Sequence, residues 1–157
     1  MARKSRSVER FRAALTDRGL ADTITVFDAS ARTADEAASV LGCPVAAIVK
    51  SLVFADAKGE PLLVLAAGDG RVDEEVVGAR VGASVELGNA RLVRAAAGYA
   101  IGGVPPFGHN RSLRTLVDHR LCEQDRVWAA AGTPAAMFSL TPAELVQATG
   151  GELVEVR

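Results

Sequence analysis

The chain has 157 residues, of which 49% are hydrophobic and 24% charged, and its formal net charge is −1. These proportions argue against a disordered or fibrous chain, and the length suits one domain covering residues 1–157. The near-zero charge argues against a polycation that clamps nucleic acid by charge alone.

The N-terminal segment and the cysteines indicate the cellular compartment. No apolar run approaches the roughly 18 residues of a membrane span, and MARKSRSVERFR lacks the apolar stretch of a signal peptide. Cys43 and Cys122 are too few for a disulfide framework. We therefore expect a cytoplasmic protein with two free thiols and no membrane partner.

Hydrophobic spacing, capping residues and glycine stops predict an alternation of helices and short strands. In chain order, the predicted elements are a helix at 8–18, a strand at 23–27, a helix at 33–42, strands at 48–55 and 61–67, a helix at 72–80, a strand at 84–87, a helix at 89–97, strands at 99–101, 113–118, 126–131 and 135–140, a helix from Thr141, and a strand at 152–156.

The order of these elements predicts the fold class. The runs 48–55 and 61–67 flank the turn sequence DAKGE, which predicts a hairpin of two central strands covered on both faces. Hairpins are mixed among helices without a regular βαβ alternation. We therefore expect a single-domain α/β (α+β) fold with a mixed, largely antiparallel, curled sheet and flanking helices.

Basic residues are distributed unevenly along the chain. They gather at the start and around residues 98–109, namely Arg3, Lys4, Arg6, Arg10, Arg12, Arg91, Arg94, Arg111, Arg114 and Arg120. This pattern is typical of ordinary solvated surface charge, and a surface that faces an anion is the alternative.

Lys50 is unusual because it lies within the apolar run IVKSLVFA. A lysine in a central strand is rarely buried without a partner. Two interpretations remain open at this point. Either Lys50 marks the end of the strand and extends its ammonium to solvent, or it points into a cleft, where it can hold a carbonyl oxygen, a phosphate or a carboxylate.

The segment GYAIGGVPPFGH, residues 98–109, is the second unusual feature. Gly102 and Gly103 can present bare N–H groups to a ligand, and such donors stabilise a developing oxyanion. The following residues through Phe107 form a stiff apolar wall. A purely structural turn is the equal alternative, and the segment is neither a dinucleotide fingerprint nor a P-loop.

Other catalytic patterns find little support. His119 and Cys122 stand three residues apart, but zinc sites usually show closer paired spacings, so we expect no metal. No nucleophile elbow G-x-S-x-G is present, which argues against a triad of Ser112, His109 and Asp118. Asp118 ends the predicted strand 113–118, where it either simply terminates the strand or positions a water or the lysine.

The ordered set V-K-S-L-V-F, G-Y-A-I-G-G-V-P-P-F-G-H, a strand ending in Asp118, A-G-T and T-P-A-E-L resembles the YbaK family. This family includes the editing domain of bacterial prolyl-tRNA synthetase and free-standing aminoacyl-tRNA deacylases. The resemblance extends from about residue 20 to 150 and implies a curled α/β domain, in agreement with the fold expected above.

The resemblance implies hydrolysis of the ester that joins a wrong amino acid to the 3′ end of a tRNA. Lys50 would hold the substrate near its carbonyl or terminal phosphate, Gly102 and Gly103 would lie against the aminoacyl group, and Asp118 matches an acidic position. Gly132 would help to close the pocket. Water assisted by substrate hydroxyls would attack the ester, so neither a cofactor nor a metal is implied.

The chain also departs from the family pattern. Members commonly read G-G-[IV]-S-P, so Pro105 replaces a serine hydroxyl and leaves the amino-acid specificity open. His109 stands where relatives carry another polar residue, and it either contacts the terminal adenosine or caps the next turn. We expect Pro105, Phe107, Gly108 and His109 to belong to the substrate-binding wall together with Gly132.

Two other functions remain alternatives. Pro105 favours a catalytically silent module that binds tRNA or a nucleotide, and the same donors would also serve hydrolysis of another activated acyl ester. The sequence leaves open which amino acid and which tRNA are edited, whether the protein docks on a synthetase, and its oligomeric state.

Overall fold

The computed structural model describes residues 3–28 and 33–157, with side chains from residue 6 onward. The side chains of Arg3 and Lys4, part of the basic group noted above, lie outside the described residues. Within this part of the chain the α-helices are α1 (Arg3–Asp17), α2 (Ala34–Leu41), α3 (Glu74–Val81), α4 (Ala90–Ala97) and α5 (Pro142–Thr149). The strands are β1 (Thr25–Val26), β2 (Val49–Asp56), β3 (Pro61–Ala67), β4 (Val85–Leu87), β5 (Arg114–Asp118), β6 (Val127–Ala130), β7 (Ala136–Leu140) and β8 (Glu152–Val154). Short 3₁₀ helices cover Val45–Ala47 and His119–Glu123.

The capping contacts confirm the predicted ends of α2 and α4 and the predicted start of α5. Helix α1 begins at Arg3 instead of residue 8, and α3 begins at Glu74 instead of residue 72. Helices α2 to α5 each begin at a polar side chain that accepts a backbone N–H and end at a left-handed glycine. The capping box of α5 is complete: Thr141 Oγ1 accepts from the Glu144 N–H at 3.1 Å, and Glu144 Oε1 accepts from the Thr141 N–H at 2.9 Å. The N-cap and the glycine stop therefore set the length of each helix.

The strands form two sheets. One has the order β4-β2-β3-β5-β8 and the other β1-β7-β6. Strands β2 and β3 form the predicted antiparallel hairpin, whereas β3–β5 and β5–β8 pair in parallel. A bridge between Ile48 and Trp128 links the two sheets. The mixed, largely antiparallel α/β fold is confirmed, and its strands are divided between two open sheets.

The five-stranded sheet separates two apolar cores because successive side chains of a strand point to opposite faces. On β3, Leu63 and Leu65 belong to the main core, while Leu62 and Val64 belong to a smaller core that also contains Val77 of α3. Strand β3 is therefore covered on both faces, as predicted.

Strand β2 is covered less completely than the sequence predicts. Strand β4 pairs with β2 from Phe54 to Asp56, and residues 50–52 are half-buried. The apolar composition of β2 predicted that both of its faces are covered. The prediction was incomplete because composition does not show where a neighbouring strand ends. The consequence is a strand edge that opens on a cleft.

The predicted strand at 99–101 is wrong. Residues 100–103 form a tight turn in which the Gly103 N–H donates to the Ala100 carbonyl at 2.9 Å. Gly98 and Gly102, which flank the segment 99–101, have φ angles of +82° and +89°. These left-handed residues turn the chain, and Tyr99 is buried within the main core instead of pairing in a sheet.

Cys43 is half-buried, Cys122 is exposed, and both are free thiols. Burial raises the pKa of the Cys43 thiol. Among the described residues, no helix is long and apolar enough to cross a membrane.

Candidate functional site

A cleft of about 470 Å³ opens beside the uncovered edge of β2. Its walls come from β2, the start of α2, the turn at 100–103 and the loop between β6 and β7. The residues that line it include Lys50, Ser51, Leu87, Ile101, Gly102 and Thr133. The cleft is mostly apolar and contains a few polar groups, as is typical of small-ligand sites.

Lys50 supplies the cationic group of this cleft. Its Nζ donates to the carbonyl oxygen of Gly70 at 2.9 Å, and the side chain is half-buried. An ammonium has three N–H donors, so this bond leaves two for a ligand. Lys50 lines the cleft as the second residue of β2, and its role in holding a ligand stays a prediction.

The turn at 100–103 faces the cleft through Ile101 and Gly102. Gly102 is exposed, and its φ of +89° is a conformation that favours glycine. The Gly103 N–H is already bonded to Ala100, whereas the Gly102 N–H donates to no other residue within the described chain. Gly102 is therefore the member of the pair whose N–H is available to a ligand.

Gly103 has a different structural role. It is buried, and its carbonyl accepts from the Gly132 N–H at 3.1 Å. A Cβ on Gly103 would lie 2.7 Å from Thr133 Cα and 2.8 Å from the Gly132 carbonyl oxygen. The close approach of these two loops brings Thr133 and Pro134 to the cleft beside Gly102.

Gly132 is held from the other side by α1. Its φ is +109°, and a Cβ there would lie 2.6 Å from the Ser7 carbonyl oxygen. Gly132 does not line the cleft itself but shapes the loop whose next residues do.

After the glycine pair, Val104 still lines the cleft, whereas residues 105–109 lie behind the cleft wall and do not line it. Phe107 is buried and packs against Phe11 and Phe138, with ring centroids 5.1 and 5.9 Å away. His109 Nε2 donates to the Pro105 carbonyl at 2.6 Å, which fixes the ring tautomer because a carbonyl only accepts. Burial lowers the pKa of His109, opposed by that hydrogen bond.

Gly108 and Arg10 tie this segment to the rest of the fold. Gly108 has a φ of +81°, and its carbonyl accepts from the Tyr99 hydroxyl at 3.4 Å. Arg10 lies over the Tyr99 ring at 4.4 Å and donates to the Gly98 carbonyl at 2.9 Å. Helix α1 therefore holds the segment from outside.

Asp118 is fully buried and lies away from the cleft lining. Its Oδ2 accepts from the Ala67 N–H and its Oδ1 from the Arg120 N–H, both at 3.0 Å. The carboxylate thus joins the end of β3 to the 3₁₀ helix that follows β5. Lys50 pairs with Ala66 across the β2–β3 ladder, so Asp118 binds the backbone one residue beyond the partner of the lysine.

Sequence reasoning missed several residues of the cleft. Ser51 lines it, and the buried Ser51 Oγ has no hydrogen-bond partner among the described residues. Leu87 and Ile101 are large hydrophobic side chains that are 55% and 54% exposed on its walls. Position next to Lys50 is a signal that could have found Ser51. Leu87 gave none, because an exposed leucine in a short strand looks like any other strand residue.

Metal ligands do not gather in the described part of the chain. Within residues 3–28 and 33–157, no three His, Cys, Asp or Glu side chains form a group that could hold a metal ion.

Comparisons with known proteins agree with the fold. The family model of the aminoacyl-tRNA editing domain matches residues 28–148. A solved structure described as a "putative trans-editing enzyme for prolyl tRNA synthetase" is similar over 96% of each chain, with a TM-score of 0.91 and 41% identity. The uncharacterized protein YwhH of Bacillus subtilis is 30% identical over 139 residues, 88% of each chain. The "Putative Cys-tRNA(Pro)/Cys-tRNA(Cys) deacylase EbsC" of Enterococcus faecalis is 24% identical over 125 residues, 79% of this chain and 76% of that one.

The family match covers most of the chain, so this protein belongs to the aminoacyl-tRNA editing domain family. The resemblance to YbaK-like proteins predicted from the ordered motifs is confirmed.

Proposed function

We propose that the protein is a trans-editing hydrolase that deacylates mischarged aminoacyl-tRNA. The observation that carries the proposal is the half-buried Lys50 ammonium on a cleft that also receives the exposed Gly102 turn, in a chain of the editing-domain family. The names of two relatives, a trans-editing enzyme and a tRNA deacylase, support the same reaction.

The reaction needs positioning, a water molecule and a donor for the developing oxyanion. Lys50 binds the ester carbonyl or the terminal phosphate, and the Gly102 N–H donates to the carbonyl oxygen as negative charge develops on it. One such backbone donor is worth roughly 3–4 kcal/mol of barrier in hydrolytic enzymes. Water attacks the ester carbon, the bond from that carbon to the ribose oxygen breaks, and the proton that water loses passes to the departing oxygen. The products are the free amino acid and the 3′-end hydroxyl of the tRNA.

The other predicted site residues act from behind the cleft in this proposal. Gly103 and Gly132 hold the two loops together, and Pro105, Phe107, Gly108 and His109 fix the course of the chain after the glycine pair. Asp118 acts through the backbone at the end of β3. These are positioning roles, because these residues do not line the cleft.

The proposed partner is the 3′ end of an aminoacyl-tRNA, and the proposed compartment is the cytoplasm, where tRNA is charged. The likeness to a protein named as acting for prolyl tRNA synthetase makes a synthetase the first partner to test. The salt dependence of binding then distinguishes tRNA from a small acyl ester. Binding of tRNA should weaken with added salt, because contacts to its phosphates release counterions.

The test is a panel of mischarged tRNAs incubated with the wild-type protein, Lys50→Ala and Lys58→Ala. Lys58 is the matched control because it is an exposed lysine in the turn between β2 and β3. We expect deacylation of at least one tRNA by the wild type and by Lys58→Ala, and loss of at least about 100-fold in Lys50→Ala.

Each alternative has its own outcome in the same panel. Tight tRNA binding that survives Lys50→Ala, with no turnover of any substrate, identifies a silent binding module. Turnover of free aminoacyl-adenosine as fast as that of aminoacyl-tRNA identifies a hydrolase of small acyl esters.

A further inference from the structure

A cluster of two arginines and two aspartates surrounds the turn after β3, whose Gly70 carbonyl accepts a hydrogen bond from Lys50 Nζ. Asp69 lies in this turn, which follows β3, and it accepts from Arg157 Nη2 at 2.7 Å through Oδ1 and from Arg120 Nη2 at 3.1 Å through Oδ2. Arg157 Nη2 also lies 3.3 Å from the Ala67 carbonyl and 3.9 Å from Asp118 Oδ2. We name Asp69, Arg120, Arg157 and Asp118 the turn cluster.

The turn cluster holds the backbone on both sides of Gly68. Asp118 accepts the Ala67 N–H, and Arg157 donates to the Ala67 carbonyl, so both polar groups at the end of β3 are bound. Asp69, two residues on, is bound by both guanidinium groups. Hydrogen bonds from Arg157 and Arg120 hold the pKa of the Asp69 carboxyl below its usual range, opposed by its partial burial, so it stays an anion at neutral pH.

Gly70 connects this cluster to the cleft. A Cβ on Gly70 would lie 2.1 Å from Arg157 Nη1 and 2.5 Å from its Cζ, so the guanidinium lies directly against the Gly70 Cα. The carbonyl of the same residue accepts from Lys50 Nζ. The position of this carbonyl therefore depends on the position of Arg157, which Asp69 fixes.

We propose that Asp69, together with Arg157 and Arg120, positions the Lys50 ammonium in the cleft through the Gly70 carbonyl. The inference rests on the proposed function, because it assigns Lys50 the role of holding the substrate. Asp69, Arg120 and Arg157 are positioning residues and touch no substrate. Their side chains are 26–39% exposed, so each ion pair alone adds little to folding stability. Their effect is expected on Lys50 more than on unfolding.

The first test measures Lys50 without any substrate. The chain has three lysines, at positions 4, 50 and 58, so acetylation by an N-hydroxysuccinimide ester can be followed at each by mass spectrometry. Asp69→Asn and Arg157→Ala are expected to raise the acetylation rate of Lys50 severalfold relative to that of Lys58. Arg157→Lys, which retains a cation for Asp69, is expected to lie between the wild type and Arg157→Ala. An unchanged Lys50 rate in both Asp69→Asn and Arg157→Ala overturns the proposal.

The second test measures the kinetic effect and controls for a general loss of stability. Misplacing a catalytic group by about 1 Å costs on the order of 100-fold, so Asp69→Asn is expected to lower kcat by about 10-fold or more. It is also expected to raise KM, because Lys50 holds the bound substrate as well. The matched control is Glu152→Gln, which breaks the Arg80–Glu152 pair of 2.8 Å on a similarly exposed part of the surface. A kcat for Asp69→Asn equal to that of Glu152→Gln overturns the proposal.

The two tests separate this inference from the proposed function. If no tRNA is deacylated but the acetylation rate of Lys50 responds to Asp69→Asn, the positioning role of the turn cluster is supported and the hydrolase function is refuted. If Lys50→Ala abolishes deacylation while Asp69→Asn changes neither readout, the hydrolase stands and the positioning role is refuted.

Discussion

Replacing Gly103 with alanine should damage the fold more than the same change at Gly102. The new Cβ of Gly103→Ala would lie 2.7 Å from Thr133 Cα and 2.8 Å from the Gly132 carbonyl oxygen, both of which are backbone atoms. Backbone cannot rotate away as a side chain does, so the two loops must separate. Overpacking of this kind costs about 1–3 kcal/mol. For a chain of this size that corresponds to a loss of roughly 2–12 °C in Tm.

Gly102→Ala is the matched comparison because it changes the neighbouring residue by the same methyl group. Its Cβ would meet Pro134 Cγ at 3.2 Å, which is the edge of a side chain. The cost here is mainly the left-handed backbone, about 1–2 kcal/mol. The new methyl group lies at the cleft, so the deacylation rate should fall even where the variant is fully folded.

The assay is urea unfolding of both variants and the wild type, with deacylation measured on the same preparations. The expected order of stability is wild type, then Gly102→Ala, then Gly103→Ala. A Gly103→Ala variant as stable as the wild type would refute the close loop contact on which the site description depends.

Three other predictions concern different parts of the molecule. Burial lowers the pKa of His109, so an unfolded chain takes up a proton near the usual value of about 6.5 while the folded chain resists. Stability should therefore fall as pH drops from about 7.5 to about 5, and thermal melts should show a smaller fall in His109→Gln but not in the exposed His119→Gln. Thr141→Ala should cost about 1 kcal/mol in urea unfolding and Thr141→Ser much less, because serine keeps the hydroxyl that accepts the Glu144 N–H. Binding of a fluorescent tRNA should weaken steeply with added salt, since phosphate contacts release counterions, and a flat response argues against a tRNA partner.

The sequence predicted the elements of this fold well where local signals determine them. Thr141 with Glu144, and the glycines after the helices, define helix ends through contacts a few residues apart. The hairpin of β2 and β3 was predictable for the same reason. The order of the strands within the sheets was not predictable, because it depends on pairings between distant segments. Strand β5, for example, pairs in parallel with β3 across about fifty residues of sequence. No short-range pattern encodes that pairing.

The candidate site was predictable in part. Lys50 stood out because a cation interrupts an apolar strand, and Gly102 because paired glycines are rare in such a segment. The different roles of Gly102 and Gly103 depend on the loop at Gly132, which only the folded chain brings into contact. The sequence carries no signal for the turn cluster, because Asp69 and Arg157 are ordinary charged residues separated by 88 positions.

The most direct test of the proposed site is an NMR titration with a non-hydrolysable adenosine that carries an amide-linked amino acid at its 3′ position. We expect the largest amide shifts at the cleft residues Ser51, Gly102 and Thr133, and we expect Lys50→Ala to weaken binding while Lys58→Ala does not. Shifts concentrated elsewhere, such as along residues 74–85, with the cleft amides unchanged, would contradict it.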